Sequence, residues 1–313
     1  MKLFRKKSNF PTGAYILMIV AMVVYVIAAK GNVNLKSILN VMRQAAPLGI
    51  VAIGQTIALL MAGIDLSVGA LMTLTNVLAC SFMLGKDGNI LLAVGICLLV
   101  AALVGLVNGV FIAVFNMPPF LITLATSIII EGVYYVYTGG SPKGKIASSF
   151  RMISNGWIGN MLPIALIVWI LIWMFFHFVL RKTKFGKEFY FTGANKSAAY
   201  LSGIAVNQKT IMAYVLTSLL TGLGGLMISA YIGVASIGVG DSYTLNSIAA
   251  TVIGGTSFAG GVGSLTGTFP GVLIITFLTS ILTMMNIPEA GKNVSQGLII
   301  LIMVAINMYK PKR

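Results

Sequence analysis

The sequence is short of charge. Only 9% of its 313 residues are Asp, Glu, Lys or Arg, against roughly 25% in an ordinary soluble chain, too few to cover a water-facing surface. Acidic side chains are scarcest, six in all, and there are one histidine and two cysteines. His177 has no second histidine and no nearby Glu with which to form a zinc-protease motif, so neither a catalytic residue nor a metal site is expected. Cys80 and Cys97 lie in apolar segments and read as packing residues, because one such pair defines no disulfide framework.

What fills the chain is apolar: 58% of it is hydrophobic. A bilayer crossing takes about 20 such residues, which leaves room for roughly eight to twelve crossings and for no sizeable soluble domain. Apolar segments bounded by charge, Pro or Gly fall near 13–29, 45–62, 66–84, 90–115, 119–138, 161–180, 209–233, 244–258, 264–285 and 294–309. The first has no convincing cleavage pattern after it and reads as a retained span, not a signal peptide. The fold expected over 1–313 is one all-α, polytopic transmembrane helical bundle of about ten spans, seated in a lipid bilayer.

The net charge of +15 does not point to nucleic acid, because the basic residues form no long tract among interleaved aromatics. They cluster at segment ends: Lys2, Arg5, Lys6 and Lys7, then Arg181, Lys182, Lys184 and Lys187, then Lys310, Lys312 and Arg313. Positive residues favour the cytoplasmic side, which places the N- and C-termini and the central cluster inside. An even number of crossings between successive clusters agrees with that placement.

Two Gly-rich stretches, Gly63 to Gly69 and Gly254 to Gly267, imply broken or short helices. Irregular backbone at membrane depth is tolerated only where protein or a watered cavity satisfies it, so both breaks are candidate pathway elements. They resemble each other weakly, and Asn-x-Pro recurs at Asn116 to Pro118 and Asn286 to Pro288. An internal repeat and chance similarity of Gly-rich membrane sequence both account for this.

Ionisable residues inside spans are functional candidates; Glu131 is predicted within one, and Asp65 sits at the first break, where it equally suits a helix cap. Polar uncharged residues punctuate the spans, among them Gln55, Asn76, Asn108, Asn116, Thr123, Thr126, Asn246 and Thr256. Taken singly they suit interhelical hydrogen bonds first, while as a set they also suit a hydrated path for a neutral, hydroxyl-rich solute. Gly139 to Lys145 matches most of a phosphate-binding loop, but Ile146 replaces the hydroxyl that would hold magnesium and no strand precedes it. The external stretch 139–160, with Lys143, Lys145 and Arg151, reads either as a solvated loop or as a docking surface for an external partner.

The central cytoplasmic segment, 181–207, is the most informative. Asn195 is placed to cap a short helix. Ala198, Ala199, Ser202 and Gly203 then form a low-profile face, with Leu201 and Ile204 beside it, that suits a groove on another protein.

Gly193-x-Asn195-x-x-Ala198-Ala199-x-x-Ser202-Gly203-Ile204 resembles the cytoplasmic coupling motif of ribose-type permeases of bacterial ABC sugar importers. The likeness extends to Gly63-Ile-Asp65-Leu-Ser67-Val-Gly69, Asn108-Gly109, Pro118-Pro119-Phe120-x-x-Thr123-Leu124, Thr138-Gly139-Gly140, Leu223-Gly224-Gly225 and Gly254-Gly255-Thr256-Ser257-x-x-Gly260-Gly261-x-Gly263. The resemblance implies a multi-pass permease of the bacterial cytoplasmic (inner) membrane that performs no chemistry itself. Its implied partners are a second permease chain, the same or homologous, an ATP-binding subunit with two nucleotide-binding domains, and an extracytoplasmic substrate-binding protein. ATP and Mg would sit on the ATPase, with no cofactor in this chain.

Two departures from the pattern are visible. Glu131 stands where similar permeases often carry Arg, and Asp241-Ser-Tyr-Thr244-Leu-Asn246 stands where they often read Gly-Tyr-Glu-Leu-Asp. The cargo expected is a small polar solute, a monosaccharide or related sugar. The rival readings are a nucleoside or branched-chain amino-acid permease and an ion-coupled secondary transporter.

Overall fold

In a bilayer an apolar segment must satisfy every backbone N–H and C=O internally, and a helix does this within one segment. The computed structural model describes residues 11–29, 33–159, 161–288, 290–295, 297–298 and 301. Along them run α1 (Thr12–Ala28), α2 (Leu35–Leu60), α3 (Val68–Met83), α4 (Ile90–Ala113), α5 (Pro119–Thr138) and α6 (Ser148–Asn155). There follow α7 (Ile164–Lys182), α8 (Lys184–Ala194), α9 (Lys196–Leu201), α10 (Val206–Ile232), α11 (Asp241–Ile253) and α12 (Leu265–Met284).

Among the described residues, α2, α4, α5, α7, α10 and α12 are long and apolar enough to cross a membrane, while α1 and α3 are apolar but shorter. The expected span at 294–309 falls largely outside the described residues, as do the basic clusters at Lys2 to Lys7 and Lys310 to Arg313.

Burial sorts the helices into layers. In their most apolar stretches α2 is 61% and α10 67% buried, against 17–22% for α4, α5 and α7, so α2 and α10 form the centre and the other three face outward. Small residues let α4 and α10 approach closely. A Cβ on Gly105 would stand 2.7 Å from the Val215 Cα, and one on Gly109 2.8 Å from the Ile211 Cα. Where the surrounding solvent is as apolar as the side chains, such backbone proximity replaces the hydrophobic effect as the source of helix association. At the bundle's edge α1 leans on α12, with the Tyr25 and Phe277 rings 5.4 Å apart.

Helix ends follow local chemistry. Asn34 Oδ1 accepts the Ser37 N–H at 2.8 Å and starts α2 well before residue 45, where the apolar run begins. Asn116 and Asn286 both take the left-handed conformation, at φ of 54° and 56°, just past α4 and α12. Asn tolerates that region better than most residues, and Pro118 and Pro288 follow. The recurring Asn-x-Pro is thus one stop signal used twice, a local device that requires no duplication of the halves.

The stretch 139–160 is more built than a solvated loop. It holds α6, and its strand β1 (Trp157–Ile158) pairs antiparallel with β2 (Leu162–Pro163). Ile146, Ala147, Phe150 and Ser154 are buried, and Ile146 N–H donates to the Gly233 carbonyl at 2.9 Å. Lys143, Lys145 and Arg151 remain exposed.

The α4–α10 contact makes a stability prediction. Gly105→Leu forces the two backbones apart and costs about 1–3 kcal/mol, the usual range for overpacking, whereas Leu106→Ala on the exposed side costs far less. Thermal unfolding of the detergent-solubilised chain measures both; equal melting temperatures for the Gly105→Leu and native chains would contradict the close approach.

Candidate functional site

Three features carry the candidate site: a glycine junction, a buried polar network and a polar cavity. The junction is where α8 meets the end of α2 and the loop that precedes α12. Gly193 is buried with its Cα against the Leu60 carbonyl, leaving no room for a side chain. A Cβ on Gly260 would lie 2.6 Å from the Gly193 carbonyl oxygen, and one on Gly261 2.7 Å from the Ala194 Cα. Gly261 N–H donates to the Leu60 carbonyl at 2.9 Å. Tyr190 adds a side-chain tie, its hydroxyl donating to the Gly263 carbonyl at 3.2 Å. Burial pushes the Tyr190 phenol up, partly opposed by Arg181, so it stays protonated as a donor. Glu188 pairs with Lys209 at 2.6 Å and links α8 to the start of α10.

From this junction α9 projects outward. Asn195 Oδ1 accepts the Ala198 N–H at 2.9 Å, the cap that its position in the sequence predicts. Ser202 donates to the Ala198 carbonyl at 2.8 Å, and Gly203 reverses the chain at a φ of 78°. Ala199 is buried, Ala198 and Ser202 are exposed, Ile204 is half-buried, and Tyr200 and Leu201 stand 73% and 85% exposed. The capped helix thus holds two large apolar side chains well out from the bundle.

The polar residues of the spans separate into groups. Asp65 is buried and its Oδ1 accepts both the backbone N–H, at 2.9 Å, and the hydroxyl, at 2.5 Å, of Ser67. Asn108 donates to the Ser67 hydroxyl at 3.2 Å and accepts from Thr126 at 2.7 Å, while Thr123 donates to the Ile64 carbonyl at 3.2 Å. One network thus ties the first Gly-rich break to α4 and α5, and within it Asp65 caps a turn. Asn76 belongs elsewhere: it donates to Ser229 and accepts from the Ser236 N–H, fastening α3 to the end of α10. Thr256 is buried in the second break, Gln55 is buried within α2, and Glu131 is exposed on α5.

Asn246 alone of the predicted pathway residues lines the cavity of about 420 Å³ that lies among α1, α2, α6, α10, α11 and α12. Its Oδ1 is buried without a partner. Opposite it on α12, Thr276, Thr279, Ser280 and Thr283 each donate to the carbonyl four residues earlier at 2.8–2.9 Å. Their hydroxyl protons being engaged, these oxygens offer lone pairs to the cavity. Donors come from Asn40, Arg43 and Gln44 on the early turns of α2. Arg43 is held by Asn155 at 3.1 Å and lies over the Tyr231 ring at 5.3 Å. These three were missed in the sequence because they precede the apolar run; the Asn34 cap was the signal that brings them into the helix. Among the described residues, no carboxylate lines this cavity, and no group of three or more His, Cys, Asp or Glu is placed to hold a metal.

Residues 37–306 match the family model described as branched-chain amino acid transport system / permease component. The chain is 34% identical to the ribose import permease protein RbsC of Haemophilus influenzae, covering 96% of each, and 35% identical to RbsC of Escherichia coli over 88% of this chain and 87% of that one. It is 31% identical to the galactose/methyl galactoside import permease protein MglC of Escherichia coli over 96% and 95%. No solved structure matches the chain significantly. The helical membrane architecture, the two glycine breaks and this likeness over nearly the whole chain agree: the protein belongs to the branched-chain amino acid transport system / permease component family.

Proposed function

We propose that the chain is the membrane-spanning permease subunit of a binding-protein-dependent ABC importer that moves a monosaccharide or related neutral sugar inward across the bacterial cytoplasmic membrane. The observation that carries this reading is the junction at Gly193: the exposed helix α9 continues from α8, whose Gly193 packs backbone to backbone against the end of α2 and the second Gly-rich break. A push on α9 therefore reaches the ends of α2 and α12 without passing through a flexible side chain. In this reading α9 docks in a separate ATPase, which binds ATP and Mg; a second permease chain completes the pathway, and a binding protein delivers solute to the opposite face. About ten crossings with both termini cytoplasmic fit the charge distribution.

The cavity supports a sugar as cargo. Relatives named for ribose and for galactose share most of the chain, and lone pairs of serine and threonine oxygens facing amide and guanidinium donors suit a neutral molecule bearing many hydroxyls. A zwitterionic amino acid would also need an anionic partner for its ammonium group, and an ion-coupled carrier would generally use intramembrane carboxylates; neither is among the described lining residues.

Vesicles reconstituted with the permease, its ATPase and binding protein test the class: labelled ribose or galactose should accumulate only with ATP. Uptake driven by an ion gradient with the ATPase absent would overturn it. Leu201→Asp is expected to weaken ATPase association by about 30-fold or more, the scale of an interface hot spot, while the melting temperature holds. Gly193→Val should leave membrane insertion intact and abolish uptake. Asn246→Leu removes about one hydrogen bond of roughly 1 kcal/mol, so solute uptake at limiting concentration should fall about fivefold with ATPase association unchanged.

A further inference from the structure

A second cavity, of about 350 Å³, lies where the end of α7, α8 and the start of α12 meet. Arg181 and Lys187 line it together with His177, and Ser264 and Thr266 face them. Its floor is the first turn of α12, which has no side-chain cap. Those first amides carry the positive end of the helix dipole, a ready site for an anionic oxygen. Ser264 and Thr266 share one hydrogen bond at 2.8 Å, leaving a second hydroxyl proton to donate. The carboxylate nearest in sequence, Glu188, is held by Lys209 at 2.6 Å and neutralises neither cation.

Topology alone explains basic residues at a helix end, but not which of them converge. Lys182 and Lys184 serve the charge rule equally well and do not line this cavity. Besides Tyr190 and Gly263, the remaining walls are apolar: Leu180 and Leu265, both buried, and the Phe191 ring, 63% exposed at the rim. A free inorganic anion has no use for such walls, whereas a lipid tail does. The level is also right. The 19 residues of α7 span about 28 Å at 1.5 Å per residue, about the thickness of the hydrocarbon core, which puts its last turn at the head-group boundary.

We propose that this cavity binds the head-group phosphate of an anionic phospholipid, with Arg181, Lys187 and the first turn of α12 holding the phosphate oxygens and the exposed Phe191 ring taking the adjoining acyl chain. Tyr190 and Phe191 belong to α8, and Gly263 to the loop that α8 grips. The bound lipid would therefore brace the glycine junction from its membrane side. The site stands on its own residues and does not depend on the transport reading.

The test uses the full chain in detergent, titrated with a short-chain phosphatidylglycerol, the phosphatidylcholine of the same chains, or inorganic phosphate, and followed by thermal unfolding. Phosphatidylglycerol should raise the melting temperature and the other two should not. R181Q/K187Q should weaken its apparent affinity roughly 30-fold, or about 2 kcal/mol at 1.4 kcal/mol per factor of ten, while K182Q/K184Q should retain it. An equal response to phosphate would show a free-anion site and overturn the lipid assignment. So would an equal response to phosphatidylcholine, or a full response in R181Q/K187Q. Native mass spectrometry of the unaltered chain, in which retained phosphatidylglycerol should exceed phosphatidylcholine, decides the matter if that double variant fails to fold; equal retention would overturn the proposal.

Discussion

The rest of the molecule depends on the close approach of three backbones, at Leu60, Gly193 and the Gly260–Gly261 pair. Side chains flex, so a contact made through them absorbs small displacements. A contact between main chains at van der Waals distance does not, because packed interiors are bistable more than they are elastic. Here the segment outside the helical body touches that body through main chain on two sides. The need for three glycines follows: any Cβ at these points would separate the elements that meet there.

Around that junction the bundle divides its polar groups by task. Asp65, Ser67, Asn108 and Thr126 bond to one another and hold the first break against α4 and α5. Asn76 does the equivalent for α3 and α10. These bonds stiffen the frame, although the second Asp65 oxygen, Oδ2, is buried without a partner. The polar lining of the larger cavity is a separate set, the unpartnered Asn246 oxygen and the α12 hydroxyls with free lone pairs. The interhelical bonds and the cavity lining thus fall to different side chains of the same residue types.

That division explains what the sequence disclosed. The two breaks, the Asn195 cap and most segment positions before residue 285 follow from composition and local chemistry, and the structure agrees with these, α2 starting earlier than its apolar run; the small-residue face of α9 does not stand out as one, since Ala199 is buried and Tyr200 and Leu201 are what protrude. Gly105 and Gly109 sit four apart on α4, a spacing that announces a packing face. Which polar residues meet was not legible, because a helix carries polar groups on every side and only tertiary packing decides which two face each other. Arg43 and its neighbours were hidden by a different cause: charge lowers the hydropathy of a turn that nonetheless belongs to a central helix. Structure within 139–160 was masked by its polarity, although Phe150 anchors it to the core.

The hydrogen bond from Gly261 to Leu60 joins points far apart along the chain. During synthesis the N-terminal helices emerge first, and the end of α2 must wait until almost all the later helices have been threaded before its carbonyl finds this partner. Contacts of such long range form slowly because loop-closure entropy precedes their reward. The surface carrying Tyr200 and Leu201 therefore acquires its final support only when the chain is nearly complete. A partner that recognised the supported shape would meet it only after Gly261 is in place.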